Sequence, residues 1–455
     1  MIVNRVVSER RAFYTKMVGI ALPVVFQGLL NNSLSFVDTL MIGQLGESSI
    51  AAVALANQMF FLISLLYFGV CSGASIFLSQ FWGADNRTNI QKVLGLSLLV
   101  AGIAALAMAS TSLLLPKQIM RIFTDDGTVV LRGSEYLRIV AMSYLFSAIS
   151  QILATSLRVI GHAKTPLKVA LFSLTFNAIG NYFLIFGIGP FPEWGVAGAA
   201  LSTAISRLLE MIILIIIVYK RHPVLAIRSL DAFRLNRKFL AHVVPTSLPV
   251  IFNEIFWALG MVAYKIVYAK LGISAIAAIN VTEAIGNLFF VALMGVSNAT
   301  LIMIGIKIGE GETATAHHYA RRFILTSIAI GLSMGLFEAL FAPSFTRLFN
   351  ISDAVRSLAV TCLYIHASLL TIRSINIVII VGILRSGGDT RYSMFAELFG
   401  VWAVGVPLAF LGSTLLNLSI TGLYLLVGME EVTKMFIGLA RVKGGKWVND
   451  LTTIH

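Results

Sequence analysis

Leu22-Pro23-Val24 and Leu248-Pro249-Val250 are one tripeptide read twice, 226 residues apart, and that offset organises the chain. Leu45-Gly46 followed by Ile50-Ala51-Ala52 falls on Leu271-Gly272 followed by Ile276-Ala277-Ala278. Gly69-Val70 falls on Gly295-Val296, Gly83 on Gly309, and Arg121 with Phe123 on Arg347 with Phe349. At an offset of 227, Leu157-Arg158 falls on Leu384-Arg385 and Gly161 on Gly388. Chance similarity among apolar stretches does not keep prolines and glycines in register over such a distance. The chain therefore reads as two copies of one unit.

The repeated unit is built for lipid. Of 455 residues, 58% are apolar and 12% charged, against about 45–50% and about 25% in a soluble domain. Mean hydropathy is +0.88. These values exclude a soluble enzyme, a nucleic-acid-binding protein or a disordered chain. A transmembrane barrel alternates every second residue and gives no continuous apolar runs. The remaining fold class is an all-α polytopic membrane protein, with the bilayer as a partner and nucleic acid excluded. Cys71 and Cys362 both sit in apolar stretches, with neither disulfide nor zinc-site spacing.

Twelve apolar stretches reach the roughly 20 residues that cross a bilayer. They lie roughly at 17–42, 49–81, 93–115, 136–160, 166–189, 195–219, 244–268, 275–305, 319–342, 357–383, 392–413 and 417–440. The basic start (Arg5, Arg10, Arg11, Lys16) precedes an apolar run past Leu40, too long for a signal peptide, so it reads as a retained first span. The longest basic break, Lys220 to Lys238, follows the sixth span. This predicts an N-terminal lobe at 1–219, a cytoplasmic linker at 220–243 and a C-terminal lobe at 244–455, each with six spans. Counting Lys and Arg with the N-terminus inside places 24 on inner segments and span ends, Lys434 among them, and 8 on outer ones. Both termini are thus expected in the cytoplasm. Odd spans match odd and even match even, so the two bundles are related by a pseudo-twofold axis along the membrane normal. Secondary transporters are built from such repeats, with the site near the midplane.

Leu22-Pro23…Phe36-Val37-Asp38-Thr39…Leu45-Gly46…Ala51-Ala52, the loop Gln80-Phe81-Trp82-Gly83-Ala84, the turn Leu157-Arg158-Val159-Ile160-Gly161 and the pair Asn177…Asn181 resemble the multidrug and toxic compound extrusion (MATE) family. The resemblance covers essentially the whole chain and takes in the DinF-like and NorM-like prokaryotic exporters. It implies an antiporter in the cell (inner) membrane that exports amphiphilic, often cationic, drugs and toxic compounds by rocking two lobes. It implies exchange against protons or sodium ions and no other cofactor, in a monomer. The alternative within the same superfold is a flippase for lipids or lipid-linked oligosaccharides. Such flippases usually carry extra spans and a strongly basic cavity, whereas only Arg207 and Arg373 lie inside spans here. Loop 82–87 lacks the Gly…Asp-Arg…Gly-Arg-Arg pattern of major-facilitator transporters, and no ATPase or hydrolase motif is present, so no enzyme is expected.

Polar residues inside spans are functional candidates because lipid makes them costly. Asp38 is a carboxylate flanked by Phe36, Val37, Leu40 and Met41, with no basic residue near in sequence. A proton or metal cation would relieve it; alternatively span 1 ends early and Asp38 caps it. Asn177 and Asn181 are four apart on one face of span 5, and with Asp38 they make a hard-oxygen set suited to a small cation such as sodium. The resemblance adds Thr203, where the family's span 6 contributes a hydroxyl, and notes that DinF-like relatives often carry Asp at the position of Asn181. Interhelical hydrogen bonding is the structural alternative for these residues. The C-terminal half offers Asn280, Glu283 and Asn287 at i, i+3 and i+7 in span 8, and Glu254 in span 7. The carboxylates that the NorM-like branch uses there fall on Trp257 and Ser374, so that branch's cation site is not intact. Arg207 with Glu210 reads as an ion pair, Lys265 and Lys270 as snorkelling to the outer face, and Glu338 as lying toward the outer end of span 9.

Overall fold

A computed structural model describes residues 2–453, with side chains from Glu9 onward; the side chain of Arg5 lies outside the described ones. The helices are α1 (Ile2–Gly43), α2 (Glu47–Gly83), α3 (Arg87–Leu114), α4 (Pro116–Phe123), α5 (Gly127–Val140), α6 (Met142–Val159), α7 (Lys164–Phe186) and α8 (Gly195–Arg221). They continue as α9 (Arg237–Lys270), α10 (Ile273–Gly309), α11 (Thr313–Thr346), α12 (Asp353–Ile377), α13 (Thr390–Leu398), α14 (Val406–Thr414), α15 (Ile420–Val427) and α16 (Met429–Lys443). Among the described residues there is no β-strand, only an isolated bridge between Gly388 and Val448.

Among the described residues, ten helical stretches are long and apolar enough to cross a membrane, with Asp353–Leu384 and Thr390–Thr414 each counted as one, and α5 with α6, bent by 46°, makes an eleventh span. The twelfth expected stretch is α15 and α16, interrupted at Gly428, with Glu430, Glu431 and Lys434 in its middle. The protein is an all-α, twelve-span membrane protein in two bundles. Local chemistry explains the boundaries. Pro116 opens α4 at its first position, where a missing N–H costs nothing. Asp126 caps α5, its carboxylate accepting from Thr128 N at 2.8 Å and Val129 N at 3.0 Å. Gly187 ends α7 in the left-handed conformation, at φ 65°. Ile103, Leu332, Leu336 and Leu340 are exposed apolar residues on their spans, as lipid-facing positions are.

The chain divides into two compact units that do not follow chain order alone. The first comprises Met1–Val25, Ser79–Asp85 and Ala241–His455, so the start of α1 and the end of α2 group with α9–α16. The second comprises Phe26–Leu78 and Asn86–Leu240.

Two features mark the first unit. A Cβ on Gly83 would collide with the Ile306 carbonyl, and one on Gly309 with the Gln80 carbonyl. Gly309 and Ile306 are the repeat counterparts of Gly83 and Gln80 at offset 226, so the ends of α2 and α10 cross as twofold-related partners. The second feature is a strap beyond α16. Trp447 is fully buried. Gln80 Nε2 donates to Ser386 O at 2.9 Å and Asn449 O at 3.1 Å, and Leu451 N donates back to Gln80 Oε1 at 2.8 Å.

Candidate functional site

The second unit brings the N-terminal polar residues together. α1 supplies Asp38, α7 supplies Asn177 and Asn181 one turn apart, and α8 supplies Thr203. Asn181 Nδ2 donates to Asp38 Oδ1 at 2.6 Å. The hydrogen-bond network is best satisfied with the Asn177 amide nitrogen also toward Asp38 Oδ1, at 3.3 Å, and its oxygen accepting from the Thr203 N–H at 3.2 Å. The Thr203 hydroxyl lies 3.3 Å from the same amide. Ser202 locks α7 to α8, donating to the Asn177 backbone carbonyl at 2.9 Å.

Asp38 is half-buried, Asn177 and Asn181 are buried, and Asn181 Oδ1 has no hydrogen-bond donor. Buried polar atoms are normally partnered, so an open amide oxygen beside a carboxylate calls for an explanation. An amide oxygen is a hard ligand for a cation and a poor proton acceptor, whereas Asp38 serves both. The arrangement can therefore bind either a proton or a small metal cation. Arg207, elsewhere on α8, is an ion pair with Glu210 at 2.8 Å, as the sequence predicts.

The C-terminal candidates do not converge. Glu254 on α9 is buried and accepts from Arg385 Nη2 at 2.8 Å. Glu283 on α10 is half-exposed and pairs with Lys265 at 2.8 Å, so that lysine is held by a carboxylate instead of snorkelling freely. Asn280 and Asn287 are exposed on the same helix. Arg158 and Arg385, counterparts in the repeat, turn inward. Arg385 is 1% exposed on Glu254, and Arg158 donates to Gln27 Oε1 at 3.2 Å.

Two constellations escape the sequence reading. Glu338 lies toward the end of α11, as expected, but is fully buried there and accepts from His366 Nδ1 at 2.8 Å. Glu397, Glu430 and Glu431 surround Lys434, which is 3% exposed although the charge count assigns it to a solvated span end. Its signal was an acidic pair with a lysine one turn later inside an apolar stretch.

A family model described as MatE matches residues 23–183 and again 249–411, one copy in each half. The chain is 24% identical over 428 residues to the uncharacterized transporter YisQ of Bacillus subtilis, covering 94% of this chain and 93% of that one. It is 25% identical to the multidrug resistance protein NorM of Burkholderia vietnamiensis, covering 85% and 84%. Among solved structures, an outward-facing multidrug resistance MATE family transporter of the MOP superfamily superposes with a TM-score of 0.86 at 20% identity, covering 95% and 96%. A MOP superfamily transporter from Pyrococcus furiosus, whose binding pocket of reverse polarity suggests a different function, superposes with a TM-score of 0.85 at 20% identity over the same shares. With the duplicated six-span architecture and a family match across both halves, the chain belongs to the MatE family of transporters.

Proposed function

We propose that the protein exports amphiphilic, often cationic, compounds across the cell membrane in exchange for protons, with Asp38 as the coupling carboxylate. The observation that carries this reading is Asp38 clasped by Asn181 at 2.6 Å, beside an Asn181 oxygen without a donor. The names of the NorM relatives support drugs as the exported class. Sodium competes with the proton, because the oxygen set suits a hard cation but supplies one carboxylate only. Protonated and ionised Asp38 favour different arrangements of the lobes, which rock to alternate access, with both chain termini in the cytoplasm. A flippase gains no comparable support, since the buried arginines Arg158 and Arg385 are occupied by Gln27 and Glu254.

The test is uptake of a fluorescent lipophilic cation into inverted membrane vesicles, with a proton gradient or a sodium gradient imposed separately. Asp38→Asn should abolish proton-driven transport while the protein remains inserted and folded. Asn177→Ala and Asn181→Ala should weaken the sodium effect more than the proton-driven flux. Wild-type transport by Asp38→Asn, or an absolute need for sodium, overturns the reading.

A further inference from the structure

In the first unit, α9, α12, α13 and α16 enclose five ionisable side chains that the coupling scheme above does not use. Lys434 Nζ lies 3.1 Å from Glu397 Oε1, 3.5 Å from Glu430 Oε1 and 3.7 Å from Glu431 Oε2. Arg373 Nε approaches Glu431 Oε1 at 3.5 Å. Three carboxylates therefore face two cations. The side chains of Lys434 and Glu430 are 4% and 6% exposed, so bulk water does not offset the surplus. An uncompensated buried carboxylate is strongly unfavourable, and one proton completes the count.

The geometry singles out Glu430 as its seat. Glu431 reaches both cations and also accepts from Asn376 Nδ2 at 2.8 Å. Glu397 has Lys434 at hydrogen-bond distance. Glu430 has Lys434 at the longer 3.5 Å and a close contact with the Tyr264 hydroxyl. That hydroxyl has one hydrogen but two oxygen neighbours, Glu430 Oε2 and the Val401 carbonyl at 3.4 Å. Both contacts are made when Tyr264 donates to Val401 and accepts from a protonated Glu430. Within the same cluster Asn376 is 3% exposed, and its Oδ1 has no donor, as Asn181 Oδ1 has none beside Asp38.

The internal repeat points to the same spot. Tyr264 is the counterpart of Asp38 at offset 226. At the offset of 227 the counterpart of Asn177 is Val404, next to Gly405, where a Cβ would collide with Tyr264 Oη and Glu430. The C-terminal half thus has a tyrosine where the N-terminal half has its carboxylate, and a carboxyl group from α16 fills the place beside it that a side chain at Gly405 would take. We propose that Glu430 is a second proton site, which releases its proton when a lipophilic cation binds. The O–H bond of Glu430 breaks, the proton passes to water, and the electron pair stays on the carboxylate facing Lys434. The groups facing Glu430 from other helices are Tyr264 and Tyr268 on α9, Arg373 on α12 and Glu397 on α13, with Tyr424 on α15 against Arg373 and Tyr268. Added positive charge near them favours the ionised carboxylate, and by linkage protonation weakens cation binding. The proposal rests on the proton-exchange reading only in assuming that protons and compounds trade places.

The experiment uses the full chain in detergent, with tetraphenylphosphonium as the probe. Infrared difference spectra report the carbonyl stretch of a protonated carboxyl group, and an indicator dye in weak buffer reports released protons. A band that bleaches on adding the probe is expected in wild type and in Asp38→Asn. Glu430→Gln, whose amide can still donate to Tyr264, should lose that band and its proton release completely. Tyr264→Phe should shift the band, a result that does not depend on the folding of Glu430→Gln. A band and proton release that survive in Glu430→Gln overturn the proposal, as does a Tyr264→Phe band that does not move. Bleaching by sodium chloride in place of the organic cation would make this a sodium site and also overturn it. Export by Asp38→Asn vesicles refutes the N-terminal site alone and leaves these readouts standing.

Discussion

Gly309→Ala tests whether the crossing of α2 and α10 holds the first unit together. The new Cβ would sit 2.7 Å from the Gln80 carbonyl carbon and 2.8 Å from its Cα, besides colliding with the oxygen. All three atoms are backbone, so no rotamer change relieves the overlap and the helices must move apart. Overpacking of this kind costs about 1–3 kcal/mol, against which alanine recovers up to about 1 kcal/mol over glycine in a helix. The net loss of roughly 1–2 kcal/mol corresponds to a Tm about 2–8 °C lower for a unit of this size. The two cysteines supply the assay, since Cys71 and Cys362 are both free and buried, one in each unit. A thiol-reactive fluorophore in detergent reads unfolding of the first unit in a Cys71→Ala background. Gly19→Ala is the control, because a Cβ there meets nothing within 4 Å. A Gly309→Ala protein that melts with or above Gly19→Ala refutes the close crossing.

Glu338→Gln should lower the melting temperature more than Glu283→Gln, because Glu338 is fully buried on His366 while the Glu283–Lys265 pair is half-exposed; equal shifts would contradict this. Glu254→Gln should cost about 3–5 kcal/mol by removing the carboxylate that faces the buried Arg385 charge, and Arg385→Met in the same chain should recover much of it. A double variant no more stable than Glu254→Gln, by thermal melting, would show that the pair is not an energetic unit. His222 packs against His162 with ring centroids 4.3 Å apart and the rings tilted by 55°, and burial, then the charges of His162 and Arg221, holds its basicity below the ordinary histidine value. The folded state thus takes up this proton less readily than the unfolded one. Stability from this site is therefore full above the unfolded value near about pH 6.5 and falls as pH drops through it. His222→Gln should flatten that part of a melting-against-pH curve, and an unchanged slope would reject the assignment.

Span positions were legible because lipid imposes them on composition. Span 5, expected at 166–189, is α7 at Lys164–Phe186, and the repeated turn glycines Gly161 and Gly388 both take positive φ. The N-terminal polar set was legible too, since Asn177 and Asn181 share a helix face whatever they meet. Partners across the fold were not. Glu254 and Arg385 are 131 positions apart, so neither sequence neighbourhood says that each neutralises the other. Lys434 was misassigned for a related reason: a lysine near a span end normally extends to water, and only α13 and α16 together supply the carboxylates that hold it inside. The position of Glu338 along α11 was legible, but its distance along the helix says nothing about what covers it, and its partner His366 comes from α12.

The strap beyond α16 imposes an order on synthesis. Gln80 is made early, yet its side chain finds its carbonyl acceptors at Ser386 and Asn449 and its amide donor at Leu451 only when the ribosome has reached those codons. The end of α2 therefore waits, inserted but unmated, until α16 and the strap beyond it have been made. Membrane insertion can proceed span by span, but this part of the molecule cannot mature before Leu451 has been made. A chain cut short before the strap would leave the Gln80 side chain without these partners, so the strap ties the maturation of the second span to residues made 369 and 371 positions later.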